Sequence, residues 1–296
     1  MPGTGMSAAC SFGRMTRSLL TIALAASTFA PALAQIKLPA PSPRQDVKQR
    51  FATSFIELAY SRPALRGRPV FGPGSELAPL DSMWRTGANS ATTVRFGAPV
   101  NVGGLPVDSG RYALFTIPGQ KQWTVILNKG ADAWGDYSYD RKNDIARLQV
   151  PVERVSDPVE RFTMQFVDIT PSTCNLELTW ATTRIRVPIK ADLTDLRKRI
   201  DVALAADTAK PYEEAAHYFD EVEPDPKRAL DNVVPALEAH PDHFWLWHLK
   251  ARSLEQLGRK DEAVAAAKTC IQEATKEKDA AYQRTCQALI DRVKKP

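Results

Sequence analysis

The chain has 296 residues, 44% of them hydrophobic and 25% charged, and a formal charge of +5. That is the composition of a globular protein, and it excludes a disordered, collagen-like or polytopic membrane chain. The charge falls to +3 without Arg14 and Arg17, which is too small to call for nucleic acid or an anionic membrane as a partner.

Residues 1–34 read as an export signal. Arg14 and Arg17 are the only charges, Leu19 to Phe29 is apolar apart from small hydroxyl residues, and Ala32-Leu33-Ala34 supplies a small-x-small cleavage pattern. The apolar stretch is shorter than the roughly 20 residues a spanning helix needs. Cleavage after Ala34 leaves a periplasmic or secreted chain with no integral membrane span. Met1, Met6 and Met15 each offer a start. Residues 35–45, rich in Ala, Pro and Gln, read as a disordered mature N-terminus.

Residues 46–190 alternate with a period of two. The strand readings are Phe55 to Ser61, Ala91 to Phe96, Arg111 to Ile117 and Trp123 to Asn128. Three further runs alternate cleanly, through Phe162, Met164 and Phe166, through Leu176, Leu178 and Trp180, and through Ile185, Val187 and Ile189. Val125, Ile126 and Leu127 are apolar on both faces, as in a central strand. A two-residue connection at Ala181-Thr182 sets Leu178 opposite Ile185 and Glu177 opposite Arg186, so both faces match. Nine or so short strands predict an antiparallel β-sandwich or jelly-roll-like domain.

Residues 191–296 change to a period of 3.6, giving an α+β chain. Ala229 and Ala263 are 34 apart, as are Ala236 and Cys270, which is the period of the tetratricopeptide repeat. About one and a half such units precede a last helix over Asp279 to Lys294. So few units are expected to lean on the β domain for stability. A tetratricopeptide-like tail is expected to hold a protein partner, with Trp247 at a repeat core position and Trp245 as the contact.

Cys270 and Cys286 are equidistant from Lys278, where the last two helices turn, so an antiparallel pair brings them level as a disulfide. Cys174 then has no partner. All four histidines lie in the helical half, and His243 and His248 are five apart rather than the four that aligns two ligands. No metal site is expected. No glycine-rich strand-to-helix motif is present, so no cofactor is expected either.

The polar and aromatic loop segments carry the candidate site. Arg62, Arg68, Trp84, Arg85, Thr86 and Asn89 offer arginine forks, an amide and a stacking face, and Trp134 and Tyr139 add aromatics nearby. The structural alternative is that Arg85 and Asn89 satisfy loop carbonyls beneath Trp84. Asp136 and Asp140 flank the stretch Trp134 to Tyr139 and keep a two-carboxylate hydrolase in view.

Tyr60-Ser61-Arg62-Pro63, Gly67-Arg68 with Val70-Phe71-Gly72, Trp84 to Asn89 with Ala91-Thr92-Thr93, and Leu114 to Gly119 with Trp123-Thr124 and Asn128-Lys129 resemble a bacterial family. So do Trp134-Gly135 and Tyr139-Asp140. It is the domain of unknown function 2911 family, and the resemblance covers about residues 45 to 190. The resemblance implies export and, in some members, a helical tail; it implies no chemistry. Pro73 to Ser82 is longer than the turn it implies. The expected function is a non-catalytic module that binds a polar or anionic small ligand or a glycan, or a scaffold. The competing readings are an envelope glycan hydrolase using carboxylates and a purely structural protein.

Overall fold

The computed structural model describes residues 38–72, 74–132 and 134–295. Residues 1–34, read from the sequence as an export signal, lie outside the described residues. Among the described residues ten strands come first: β1 (Arg44–Phe51), β2 (Ser54–Ser61), β3 (Thr92–Phe96), β4 (Val100–Val102), β5 (Leu105–Val107), β6 (Gly110–Ile117), β7 (Gln122–Asn128), β8 (Asp144–Pro151), β9 (Glu153–Val167) and β10 (Thr173–Ala191). β1 takes in Arg44 and Gln45, the last two residues of the stretch read as irregular. The strands form a six-stranded sheet in the order β1-β2-β3-β6-β7-β8 and a four-stranded sheet in the order β5-β4-β10-β9, antiparallel in every pair.

Alternation explains the packing. Val94 and Phe96 of β3, Leu114 of β6 and Trp123, Val125 and Leu127 of β7 point inward from the larger sheet. They meet Phe162 and Met164 of β9 and Leu176, Leu178, Trp180, Ile185, Val187 and Ile189 of β10 in one core. β7 lies between β6 and β8, and Ile126 on its other face packs in a smaller cluster with Ala91, Ala113 and Phe115. That outer cluster is roofed by Met83 and Tyr139 from the loops.

The turn predicted at Ala181-Thr182 does not form. β10 runs unbroken through it, pairing with β9 and β4 rather than with itself. A two-residue hairpin needs positive φ at central positions, as Asn-Gly supplies. Here Ala181 alone has it, at φ 49°, and the register shifts on either side of it. The result is a bulged corner. From Thr179 to Thr183 β10 advances four residues while its partner β9 advances nine, from Thr163 back to Arg154. β10 therefore takes the inside of the corner and β9 the outside. The bulge also changes the phase, so the even-numbered Leu176, Leu178 and Trp180 and the odd-numbered Ile185, Val187 and Ile189 all face the core. Glu177 and Arg186 do meet, 3.0 Å apart, but around the corner of one strand.

The helices are α1 (Thr194–Ala205), α2 (Tyr212–His217), α3 (Pro226–Ala239), α4 (Phe244–Gln256), α5 (Lys260–Lys276) and α6 (Ala280–Val293). A π-turn over Tyr218–Val222 extends α2. Asp225 and Asp279 cap α3 and α6 by accepting backbone N–H bonds. From α2 onward each helix packs on the next. Small residues fill the contacts: Ala229, Ala236, Ala251, Ala263, Ala267 and Cys270 are buried in a core of their own. Cys270 of α5 and Cys286 of α6 are bonded, with Cα atoms 6.4 Å apart. Among the described residues the helices form a core distinct from that of the sheets, and Leu193 is the residue that packs against both. Among the described residues no helix is long and apolar enough to cross a membrane.

Candidate functional site

The loop from Trp84 to Thr92 is built against the end of β6. Trp84 exchanges both backbone hydrogen bonds with Thr116, at 2.8 and 2.9 Å. Its indole is 4% exposed, stacks on Trp180 at 5.8 Å and donates to the carbonyl of Gly87 at 3.1 Å. Trp84 is thus a core residue and offers no stacking face to solvent. Thr86 is fully buried, with its hydroxyl 3.1 Å from that of Thr116 and its carbonyl accepting from Thr92 at 2.6 Å. Gly87 sits at φ 156°, where an added Cβ would lie 2.9 Å from the Ser61 carbonyl oxygen. Asp81, Thr86 and Asn89 all hold positive φ, at 56°, 56° and 62°. Left-handed backbone in residues other than glycine costs about 1–3 kcal/mol each and gathers where function requires it.

Arg62 and Arg68 are taken up by the fold. Arg62 donates to the Phe162 carbonyl at 3.1 Å and to the Thr163 hydroxyl at 2.7 Å, strapping β2 to β9. Arg68 closes its own turn on the carbonyls of Ala64 and Leu65, at 3.0 and 3.1 Å. Tyr139 is also structural. Its hydroxyl donates to Asp144 at 2.9 Å and accepts from Arg147 at 2.7 Å, while its ring meets Phe115 edge-on at 5.3 Å. Burial and the Asp144 carboxylate push this phenol above its ordinary range.

Trp84, Arg85 and Asn89 do come together. With Asp136, Glu76 and the apolar walls Pro63, Leu77, Pro79 and Met83 they line a cavity of about 320 Å³. Its polar groups are lightly held. Arg85 reaches the Asn89 carbonyl at 3.3 Å and Asp136 at 3.5 Å, both long contacts. The Asn89 amide reaches Ser61 only at 3.5 Å. Among the described residues, most of their hydrogen-bonding capacity has no partner.

The loop carrying Asp136 also carries Trp134 and Tyr137, which are 65% and 83% exposed. Trp134 is anchored by a backbone bridge to Ser90, and Arg85 lies over the Tyr137 ring at 5.7 Å. Gly135, at φ 71°, permits this: a Cβ there would stand 2.9 Å from the Tyr137 ring and 3.1 Å from the Arg85 guanidinium. Tyr137 was not singled out by sequence. The signal for it was the glycine in Trp134-Gly135-Asp136-Tyr137, which turns two large rings outward on one short loop.

The carboxylates proposed for hydrolysis are committed to different partners. Asp136 faces Arg85, whereas Asp140 caps the 3₁₀ turn Arg141–Asn143 by accepting from the Lys142 N–H at 3.0 Å. Glu57, Glu153 and Glu177 sit in ion pairs with Lys48, Arg95, Arg184 and Arg186. In the helices, His240, His243 and Trp245 stack in succession, and Trp245 donates to Glu213 at 2.9 Å. Trp247 is half-buried rather than a core residue, donating to the Pro241 carbonyl at 2.8 Å under Lys250. Cys174 is buried, which pushes its thiol up to about 11 and leaves it unreactive.

The fold and cavity define a class: a two-sheet antiparallel β protein with a loop-built pocket, extended by helices. A family model described as a protein of unknown function, DUF2911, matches residues 42–189. The chain belongs to that family. No curated protein and no solved structure matches it.

Proposed function

We propose that this is an exported, non-catalytic module that binds a neutral glycan at the cavity of Arg85, Asn89 and Asp136. The observation that carries the reading is that the loop bringing Asp136 into the cavity lining also presents two exposed rings, Trp134 and Tyr137, the latter under Arg85. Solvent-exposed aromatics on a braced loop give a flat apolar face, which suits the C–H face of a sugar ring. Arg85, Asn89 and Asp136 supply planar donors and acceptors for its hydroxyls. Charge selects among the candidate ligands. Asp136 and Glu76 outnumber Arg85 in the lining, so an anion is disfavoured there and a neutral polyol is not. Arg62, Arg68, Thr86 and Tyr139 act from behind, by fixing the loops.

The export signal ends at Ala34, and the helical region serves as a tetratricopeptide-like partner-binding tail. Burial of Ala229, Ala236, Ala263 and Cys270, the residues that recur at 34, supports this reading. Calorimetric titration with soluble neutral oligosaccharides tests the glycan site. Trp134→Ala and Tyr137→Ala should each weaken binding about tenfold while leaving the melting temperature in place. Turnover of any oligosaccharide, with a pH profile set by two carboxylates, would replace this reading with the hydrolase.

A further inference from the structure

On the face of the six-stranded sheet turned away from the core, Arg95 of β3 stands directly opposite Arg111 of β6. Residues so placed have Cβ atoms about 4.5–5.5 Å apart, and like charges in that position destabilise a sheet. The neighbouring carboxylates cancel the pair only in part. Glu57 is shared, 2.7 Å from Lys48 and 3.1 Å from Arg95. Among the described residues Arg111 reaches only Asp132, at 2.7 Å, and that carboxylate is 92% exposed. Such an exposed contact is weak and yields readily to a competitor.

The surface is concave at this point. Ala59 and Thr93 are small, and a cavity of about 320 Å³ opens over them. Four cations, Arg44, Lys48, Arg95 and Arg111, line it against Asp46 and Glu57. The Phe55 ring holds two of them in place, with Lys48 at 4.2 Å and Arg95 at 5.1 Å from its centroid.

We infer that this concavity is a binding site for a phosphoryl group, held by the guanidinium groups of Arg95 and Arg111, both of which line it. The planar fork of arginine matches phosphate oxygens, and a dianion neutralises both members of a pair that otherwise repel. The site is separate from the loop cavity, and it has the opposite charge balance.

Calorimetric titration of the purified protein with inorganic phosphate and with tripolyphosphate, at constant ionic strength set by chloride, tests the site. Both should bind saturably. Arg111→Gln should weaken binding about tenfold or more, the worth of a lost charge-assisted contact. Asp132→Asn should tighten it by freeing Arg111, and this second variant decides the matter if Arg111→Gln folds poorly. Lys268→Gln makes the same charge change on an exposed residue of α5 and should leave binding as it is. Co-sedimentation with phosphatidylcholine vesicles, with and without phosphatidic acid, separates a soluble phosphorylated ligand from a lipid headgroup. Absence of saturable binding in every arm, or equal weakening by Lys268→Gln and Arg111→Gln, would overturn the site.

Discussion

Trp84 and Trp134 are both loop tryptophans, one 4% and the other 65% exposed. Removing the first empties a cluster that it shares with Phe71, Trp123, Phe162 and Trp180. Trp84→Ala should therefore cost about 3–5 kcal/mol in a urea unfolding experiment. Trp134→Ala should cost less than about 0.5 kcal/mol, because its ring buries little. The sequence marked both residues and could not separate them. Burial is legible where a period of two or 3.6 tells inside from outside, as at Leu176, Leu178 and Trp180. Loop residues carry no such period. Trp84 is buried because its backbone pairs with Thr116, a contact 32 residues away along the chain.

The corner of β10 shows the same division between elements. Its two alternating runs were legible, and so was the meeting of Glu177 with Arg186. Whether the chain between them turns back or bends depends on its partners. The five extra residues that β9 spends around the outside of the corner have no signature within β10. Among the helices, His248 of α4 gives a pH-dependent expectation. Burial, with Arg252 and Arg292 adding, holds its imidazole below the ordinary 6.5, against the opposing pull of Glu221 and Glu255. The unfolded state then binds the proton more readily. This stability is present above pH 6.5 and is lost as pH falls toward the folded value. Urea midpoints should drop on acidification through that window, and His248→Gln should flatten the drop. Asp220, raised by burial beside Arg252 at 3.2 Å, acts in the opposite sense: its contribution is present below pH 3.8 and is lost as pH rises through its folded value.

At the scale of the whole molecule, two cores share little more than Leu193. They should melt as two calorimetric transitions. The Cys270–Cys286 bond closes a segment of 16 residues within the helical core, so reduction should cost that core about 3 kcal/mol. The upper limit of coupling is clear: the sheet transition should not move with reductant, and a shared shift would mean one cooperative unit. The central claim is that a neutral glycan rests on Trp134 beside Arg85. The six tryptophans give six indole N–H signals in a ¹H–¹⁵N spectrum, assigned by substitution. Titrating neutral oligosaccharides should move the Trp134 signal saturably and leave Trp245 and Trp247 in place. A Trp134 signal unmoved by every oligosaccharide, or shifts confined to the helical pair, would contradict it.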